Sequence, residues 1–296
     1  MTERVFDISE ARAYLSVKNR QLCVEVEERS PATVPLAEIA ALVIAHPQVT
    51  CSQGAMAGLM EAGATVVVCD GKRMPVGLLI PLAGHSVQSE RFLRQAEAPL
   101  PLKKRLWAQI VKSKVAAQGR LLGKLHGDDR GLGALVAKVR AGDPDNIEGR
   151  AAQRYWPALF CDPGFRRDRE AEDQNRLLNY GYAVLRALVA RAICAAGLHP
   201  TLGLHHHNRY DAFCLANDLM EPLRPLVDEG VMRVMDKFGE DAPLDPTTKS
   251  ELINWVSGRY RLGGEERSMF DILSRTTASL VAVYAGERKA LLLPEI

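Results

Sequence analysis

The sequence lacks the features that mark a secreted, membrane-bound or zinc-ribbon protein. No apolar run approaches the roughly 20 residues that span a bilayer, and residues 1–6 carry neither the basic nor the apolar block of a secretory signal. The six cysteines are scattered without a Cys-x-x-Cys pair, which argues against zinc ribbons and disulfide frameworks. We therefore expect a cytoplasmic protein with no membrane partner, whose cysteines are small buried hydrophobes.

Net charge is nearly absent too, at +2 over 296 residues, but its distribution is uneven. Residues 1–85 carry net −2, residues 86–140 carry net +8 and residues 141–296 carry net −4. The middle block is either a track for a nucleic-acid backbone or a solvated helical face, and charge alone favours neither. The cations of this block that could follow such a backbone are Lys103, Lys104, Arg105, Lys112, Lys114, Arg120, Lys124, Arg130, Lys138 and Arg140. A later polar loop could add three more, which are Arg166, Arg167 and Arg169.

The hydrophobic pattern of the first 85 residues predicts strands. A turn at 18–20 joins two alternating segments, 13–17 and 21–26, which is typical of a hairpin. Further strands are predicted at 65–69 and 76–82. One short helix is expected over 52–61, with Ser52 as its N-cap and Gly63 just past its end.

From about residue 88 the apolar residues recur at helical spacing. A polar loop is expected at 161–173, and breaks within the 211–236 helix are expected at Pro222 and Pro225. The sequence thus predicts an α+β protein with a small N-terminal β-rich domain, residues 1–85, and a larger all-α domain, residues 86–296. The predicted helices are 102–125, 134–140, 147–160, 175–196, 211–236, 249–260 and 268–288.

Three short segments place metal-ligand residues beside small or apolar ones, at 146–152, 203–206 and 217–222. Glu148 is expected near a helix start, with Asn146 as N-cap. Its neighbours Gly149, Ala151 and Ala152 are small enough to let a helix or a substrate backbone approach the carboxylate. Alternatively, Glu148 only complements the positive end of the helix dipole.

The other two segments also leave alternatives open. Consecutive side chains point in different directions, so His205, His206 and His207 are expected to supply one ligand between them. Asp218 and Glu221 share a helix face and suit metal binding, or they form a capping box with Asp218 as N-cap. Glu221 precedes a proline, which disfavours helical backbone there. Two carboxylates with one imidazole suit Mg²⁺ or Mn²⁺, which points to phosphodiester chemistry.

Together these segments resemble the CRISPR-associated integrase, the catalytic subunit of the spacer-acquisition complex. The sequences of these motifs are most similar to those of members found in type II systems, which also contain a Cas9-type effector. The resemblance covers most of the chain and rests on four ordered motifs, which are Asn-Ile-Glu-Gly-Arg-Ala-Ala at 146–152, Leu-Asn-Tyr-Gly-Tyr at 178–182, Gly-Leu-His-His at 203–206 and Asp-Leu-Met-Glu-Pro-Leu-Arg-Pro at 218–225.

The resemblance implies a metal-dependent DNA endonuclease and integrase with Glu148, His206 and Glu221 as ligands of Mg²⁺ or Mn²⁺. Asp218 would line the site. The family fold has an N-terminal β domain, which dimerises, and a C-terminal helical catalytic domain. Two homodimers flank a dimer of a small ferredoxin-like subunit in a hetero-hexamer that acts on double-stranded DNA. Alternatives are a DNA-binding scaffold with a degenerate site and a general repair nuclease.

Overall fold

The computed structural model describes residues 3–27, 29–71, 75–83, 85–168, 170–171 and 173–296, which form two four-stranded sheets followed mainly by helices. The strands of the first part are β1 (Arg4–Ile8), β2 (Ala13–Lys18), β3 (Gln21–Val26), β4 (Ala32–Pro35), β5 (Ile39–Ile44), β6 (Val49–Cys51), β7 (Thr65–Cys69) and β8 (Pro75–Leu79). The helices are α1 (Gln53–Glu61), α2 (Gln88–Ala96), α3 (Leu100–His126), α4 (Leu132–Val136), α5 (Ile147–Leu159), α6 (Asn175–Ala195), α7 (Cys214–Met220), α8 (Arg224–Phe238), α9 (Pro246–Val256) and α10 (Met269–Tyr284).

The two sheets have the strand orders β1-β5-β7-β8 and β4-β3-β2-β6. The predicted hairpin is confirmed: Lys18 pairs with Gln21, and the two residues between them, Asn19 and Arg20, have φ of 53° and 59°. Positive φ at both positions gives the turn whose twist matches antiparallel strands. The Ser52 cap is confirmed as well, because its hydroxyl accepts a hydrogen bond from Ala55 N at 3.1 Å.

The first sheet shares its core with the helices. Ala41 and Val43 of β5 and Val67 of β7 are fully buried in one cluster with the apolar face of α6. Arg191 of α6 donates to Gly63 O at 2.7 Å and to Glu3 Oε1 at 2.6 Å. These contacts hold the sheet against the helices; a domain division at residue 85 stays a prediction.

Helix α6 is the central core helix. By length and composition it could cross a membrane, with a mean hydropathy of 1.2, yet 78% of that stretch is buried within the protein. At Gly181 a Cβ would lie 2.5 Å from Cγ1 of Val227 in α8. Only glycine therefore allows these two helices to cross so closely.

The predicted α+β class is confirmed, with one amendment to the all-α second part. Strands β9 (Arg259–Leu262) and β10 (Glu265–Ser268) form an antiparallel hairpin between α9 and α10. Helix α5 continues through Pro157 to Leu159.

The described cysteines are all free, but only Cys194 and Cys214 are buried and Cys161 is exposed, so the expectation of buried cysteines was wrong for most of them.

Candidate active site

Two glutamates from distant parts of the chain converge on one lysine. Glu148 lies in the first turn of α5, and Glu221 begins a 3₁₀ turn, Glu221–Leu223, between α7 and α8. Lys114 Nζ, from α3, lies 2.6 Å from Glu148 Oε1 and 2.6 Å from Glu221 Oε2. Arg224 Nε donates to the other oxygen, Oε1, of Glu221 at 2.9 Å. The result is a partly enclosed cluster of two carboxylates and two cations.

Burial and charge oppose each other in this cluster. Burial alone would raise the pKa of Glu221, but Arg224 and then Lys114 outweigh it and lower that pKa to about 2. Burial would likewise lower the pKa of Lys114, and the attraction of Glu221 and Glu148 raises it instead. Both groups are therefore charged at neutral pH, and Glu221 is a carboxylate able to bind a cation.

The backbone before α5 fixes the direction of Glu148. Asn146 has φ of 48°, and its side-chain oxygen accepts from Gly149 N at 3.2 Å, which confirms the predicted N-cap. Asp143 accepts from the backbone N–H groups of Ile147 and Glu148, each at 2.9 Å. A Cβ at Gly149 would lie 2.6 Å from Asn146 Nδ2. The small residue at 149 thus accommodates the cap, a role that the sequence interpretation of substrate access had missed.

Asp218 holds the loop that carries His206. Its carboxylate is fully buried in α7 and accepts from the backbone N–H groups of Leu204, His205 and His206 at 2.6, 3.0 and 3.2 Å. It also contacts His206 Nδ1 at 2.6 Å. Since a carboxylate only accepts, Nδ1 carries the proton and the neutral ring keeps its lone pair on Nε2. The hydrogen bond to Asp218 is the largest cause of a raised pKa of His206.

The capping-box alternative for Asp218 and Glu221 is wrong. Asp218 lies inside α7, whose N-cap is Phe213, and Glu221 has helical φ and ψ of −54° and −44° despite the proline that follows. The preference for extended backbone before a proline is not followed at Glu221, whose side chain is paired with Lys114 and Arg224.

Helix α3 supports both halves of the site. Trp107, buried in the core, stacks on His205 with ring centroids 4.2 Å apart and an interplanar angle of 3°. The Trp107 ring also makes an edge-on contact with the His206 ring, with ring centroids 5.7 Å apart. Because Trp107 and Lys114 are seven residues apart, they lie on one face of the helix. Sequence interpretation missed Trp107, and it placed Lys114 in a basic block that was either a nucleic-acid track or a solvated helical face.

The predicted basic track is only partly available. Lys104, Arg105, Lys112 and Lys138 are exposed, and among the residues described they form no ion pair. Other cations are used within the protein, as with Lys124 to Glu229 at 2.6 Å and Arg140 to Asp145 at 2.9 Å. Arg167 binds Asn175 and Asn179 and stacks on Tyr182, so it anchors its loop to α6. Arg169 lies outside the described residues.

The donor set suits a hard divalent ion. Two carboxylates already converge on one positive charge, and Glu221 Oε2 is a buried oxygen with no partner of proper hydrogen-bond geometry. The charges of Glu221 and Glu148 reach His206 and raise its pKa. Within the described ranges, however, no three His, Cys, Asp or Glu side chains stand close enough together to hold an ion. Binding would therefore need the side chains to move, with Lys114 the obstacle between the carboxylates.

Solved structures of similar fold include a casposase and a complex that contains Cas1. A casposase bound to integration product matches with a TM-score of 0.75 and 19% identity, over 97% of this chain and 92% of that one. A chain of a Cas6-RT-Cas1–Cas2 complex matches with a TM-score of 0.78 and 18% identity, over 99% of this chain and 36% of that one. At such identities the likeness shows the fold alone.

Sequence comparison then gives the family. The family described as CRISPR associated protein Cas1 matches residues 7–238. The CRISPR-associated endonuclease Cas1 of Neisseria meningitidis serogroup C (strain 8013) is 36% identical over 95% of this chain and 93% of its own length. The chain belongs to the Cas1 family, whose curated relatives are named endonucleases, and this confirms the resemblance carried by the four motifs.

Proposed function

We propose that this protein is the catalytic subunit of CRISPR spacer acquisition, a metal-dependent DNA integrase and endonuclease. In this reaction the 3′-hydroxyl of a captured DNA fragment attacks a phosphodiester at the edge of a repeat, and the fragment becomes a new spacer. The observation that carries the proposal is the convergence of Glu148 and Glu221 on one cation, 2.6 Å from each, beside a histidine oriented by a buried aspartate.

Glu148, His206 and Glu221 would hold Mg²⁺ or Mn²⁺. Such an ion supplies Lewis-acid stabilisation of phosphate charge and lowers the pKa of an attacking hydroxyl. A ligating histidine usually donates its other ring N–H to a carboxylate, which fixes both tautomer and ring direction. The contact between His206 Nδ1 and Asp218 Oδ1 at 2.6 Å fits that role and supports an orienting role for Asp218.

His206 also has the properties of a proton donor to the leaving oxygen. The hydrogen bond to Asp218 raises the pKa of His206, so the protonated ring is more populated near neutral pH than an ordinary histidine would be. Both roles use Nε2, because Asp218 occupies Nδ1. Ligand and acid are therefore alternatives for the same atom at any one moment.

Double-stranded DNA would lie along the exposed cations of α3, chiefly Lys104, Arg105 and Lys112. Contacts from flexible cationic side chains go mainly to phosphates and read little sequence. Because one structural neighbour belongs to a complex named for both Cas1 and Cas2, we propose a small partner of the Cas2 kind. The full assembly would be two homodimers, each joined through residues 1–85, around a ferredoxin-like partner dimer, in the cytoplasm and in some systems beside a Cas9-type effector.

An integration assay tests the proposal. Wild type, Glu148→Ala and His206→Ala would each be mixed with the small partner, a short duplex with free 3′-hydroxyl ends and a supercoiled plasmid carrying a repeat. We expect joining only by the wild type and only with Mg²⁺ or Mn²⁺, while both variants remain folded and dimeric. His207→Ala is the matched control and should join normally, because His207 is exposed and its only hydrogen bond among the described residues is to the backbone carbonyl of His205.

The other outcomes would replace the proposal. Cutting of any DNA without joining or repeat dependence would identify a general nuclease. Tight duplex binding with no reaction in any metal would identify a scaffold with a degenerate site. A Glu148→Ala protein that fails to fold would show that this carboxylate is structural.

A further inference from the structure

Lys114 and a divalent ion would need the same oxygens. Lys114 Nζ lies 2.6 Å from both Glu148 Oε1 and Glu221 Oε2. The remaining oxygen of Glu221, Oε1, is taken by Arg224 at 2.9 Å. Both oxygens of Glu221 thus already face cations, and an ion that approaches this carboxylate meets a positive charge on either side.

The surroundings decide which cation leaves. Arg224 is held by several contacts. Its guanidinium stacks on the Tyr182 ring at 4.7 Å, and the nearby carboxylate of Asp228 attracts its positive charge. Asp228 in turn accepts hydrogen bonds from the hydroxyls of Tyr182 and Tyr155. No comparable ring stacking holds Lys114 among the residues described. Its ammonium is a point charge on a flexible four-carbon stem, with 12% of the side chain exposed. Lys114 is the cation that can move at the lower cost.

We infer that Lys114 acts as an exchangeable counter-ion, which competes with the divalent ion for Glu148 and Glu221 and leaves them when the ion binds. The inference rests on the proposed metal dependence. Two cations a few ångströms apart repel each other strongly in a partly buried site, so both do not share these oxygens. In the absence of the ion, Lys114 keeps two neighbouring carboxylates from repelling each other.

The first test uses the wild-type protein. Amine labelling with a small methylating reagent, followed by peptide mass spectrometry, would be done with and without Mn²⁺. We expect Lys114 to be protected without Mn²⁺ and to react at least severalfold faster with it. Lys112 is the matched control, because it is exposed on the same helix and its labelling should not change. Equal labelling of Lys114 in both conditions, with Mn²⁺ demonstrably bound, would overturn the inference.

The second test removes the charge. Lys114→Gln should lower the melting temperature without metal and bind Mn²⁺ at least about tenfold more tightly by electron paramagnetic resonance titration. Unchanged or weaker Mn²⁺ binding in a folded Lys114→Gln protein would contradict the exchange. If this variant does not fold, the amine labelling of the wild-type protein still tests whether Lys114 leaves the carboxylates when Mn²⁺ binds. Wild type that binds no Mn²⁺ at all would instead refute the proposed function.

Discussion

The substitution Asp218→Asn tests how the site histidine is oriented. In the wild type each carboxylate oxygen has two donors: Oδ2 accepts from Leu204 N and His205 N, and Oδ1 accepts from His206 N and Nδ1. An amide keeps the shape but replaces one acceptor by a donor. Whichever way it turns, two of the four donors then face an N–H₂ group.

The amide should turn its N–H₂ toward His206. The imidazole can respond by moving its proton from Nδ1 to Nε2, whereas backbone N–H groups cannot adapt. One backbone donor, His206 N, is then left without its acceptor, at a cost of about 1–3 kcal/mol. The proton on Nε2 blocks that atom as a ligand, and loss of such an orienting partner typically weakens metal binding about 10–100-fold.

Urea unfolding and Mn²⁺ titration would measure the two effects separately. Asp129→Asn is the matched control: Asp129 also accepts two backbone N–H groups, from Gly131 and Gly133 at 2.8 and 2.9 Å, but within the described part of the chain it has no hydrogen bond to a histidine. It should lose stability without losing Mn²⁺ affinity. A folded Asp218→Asn protein that binds Mn²⁺ as tightly as wild type would refute the reasoning.

Three further predictions follow from other contacts. Gly149→Ala should lower the free energy of unfolding in urea by about 1 kcal/mol, because its Cβ would lie 2.6 Å from the Asn146 side chain that caps the helix. In a protein that already carries Asn146→Ala, the same substitution should cost much less. Burial raises the pKa of Asp228 from 3.8 to about 6, so its stabilising contribution is complete below pH 3.8 and is lost as pH rises through 6. Asp228→Asn should therefore flatten the pH dependence of unfolding between pH 3.8 and 6. Arg105→Gln with Lys112→Gln should reduce the log–log salt slope of duplex binding by about 0.9 per lost phosphate contact.

Two of these predictions have a control within the chain. Gly54→Ala also adds a methyl group in a first helical turn, but nothing lies within 4 Å of the new Cβ, so stability should not fall. Arg140→Gln removes a cation already paired with Asp145 and should leave the salt slope unchanged. A pH profile of Asp228→Asn that matches wild type would show that another group controls stability in this range.

The sequence predicted those parts of the fold and site that depend on local pattern. The hairpin turn at Asn19 and Arg20 and the caps Ser52 and Asn146 need only neighbouring residues, and all were confirmed. The hairpin of β9 and β10 was missed because its residues are mostly charged and exposed, which leaves no strand periodicity to detect.

Long-range contacts could not be predicted in the same way. Lys114 looked like any other member of a basic block, and only its packing against Glu148 and Glu221 sets it apart. Asp218 fitted a capping pattern by spacing, yet its partners are a loop some 12–14 residues earlier. The metal-binding role of Glu148, His206 and Glu221 stays a prediction.

The position of Trp107 and Lys114 on one helix face has a consequence for protein engineering. Motifs 203–206 and 218–225 contact each other directly through Asp218. Helix α3 stacks on the histidine loop through Trp107 and, two turns later, bridges Glu148 of motif 146–152 to Glu221 through Lys114. Transplanting the three motifs onto another scaffold would therefore remove the lysine bridge between the glutamates and the aromatic support of the histidine loop. A functional graft requires a fourth piece, a straight helical segment carrying Trp and Lys seven residues apart.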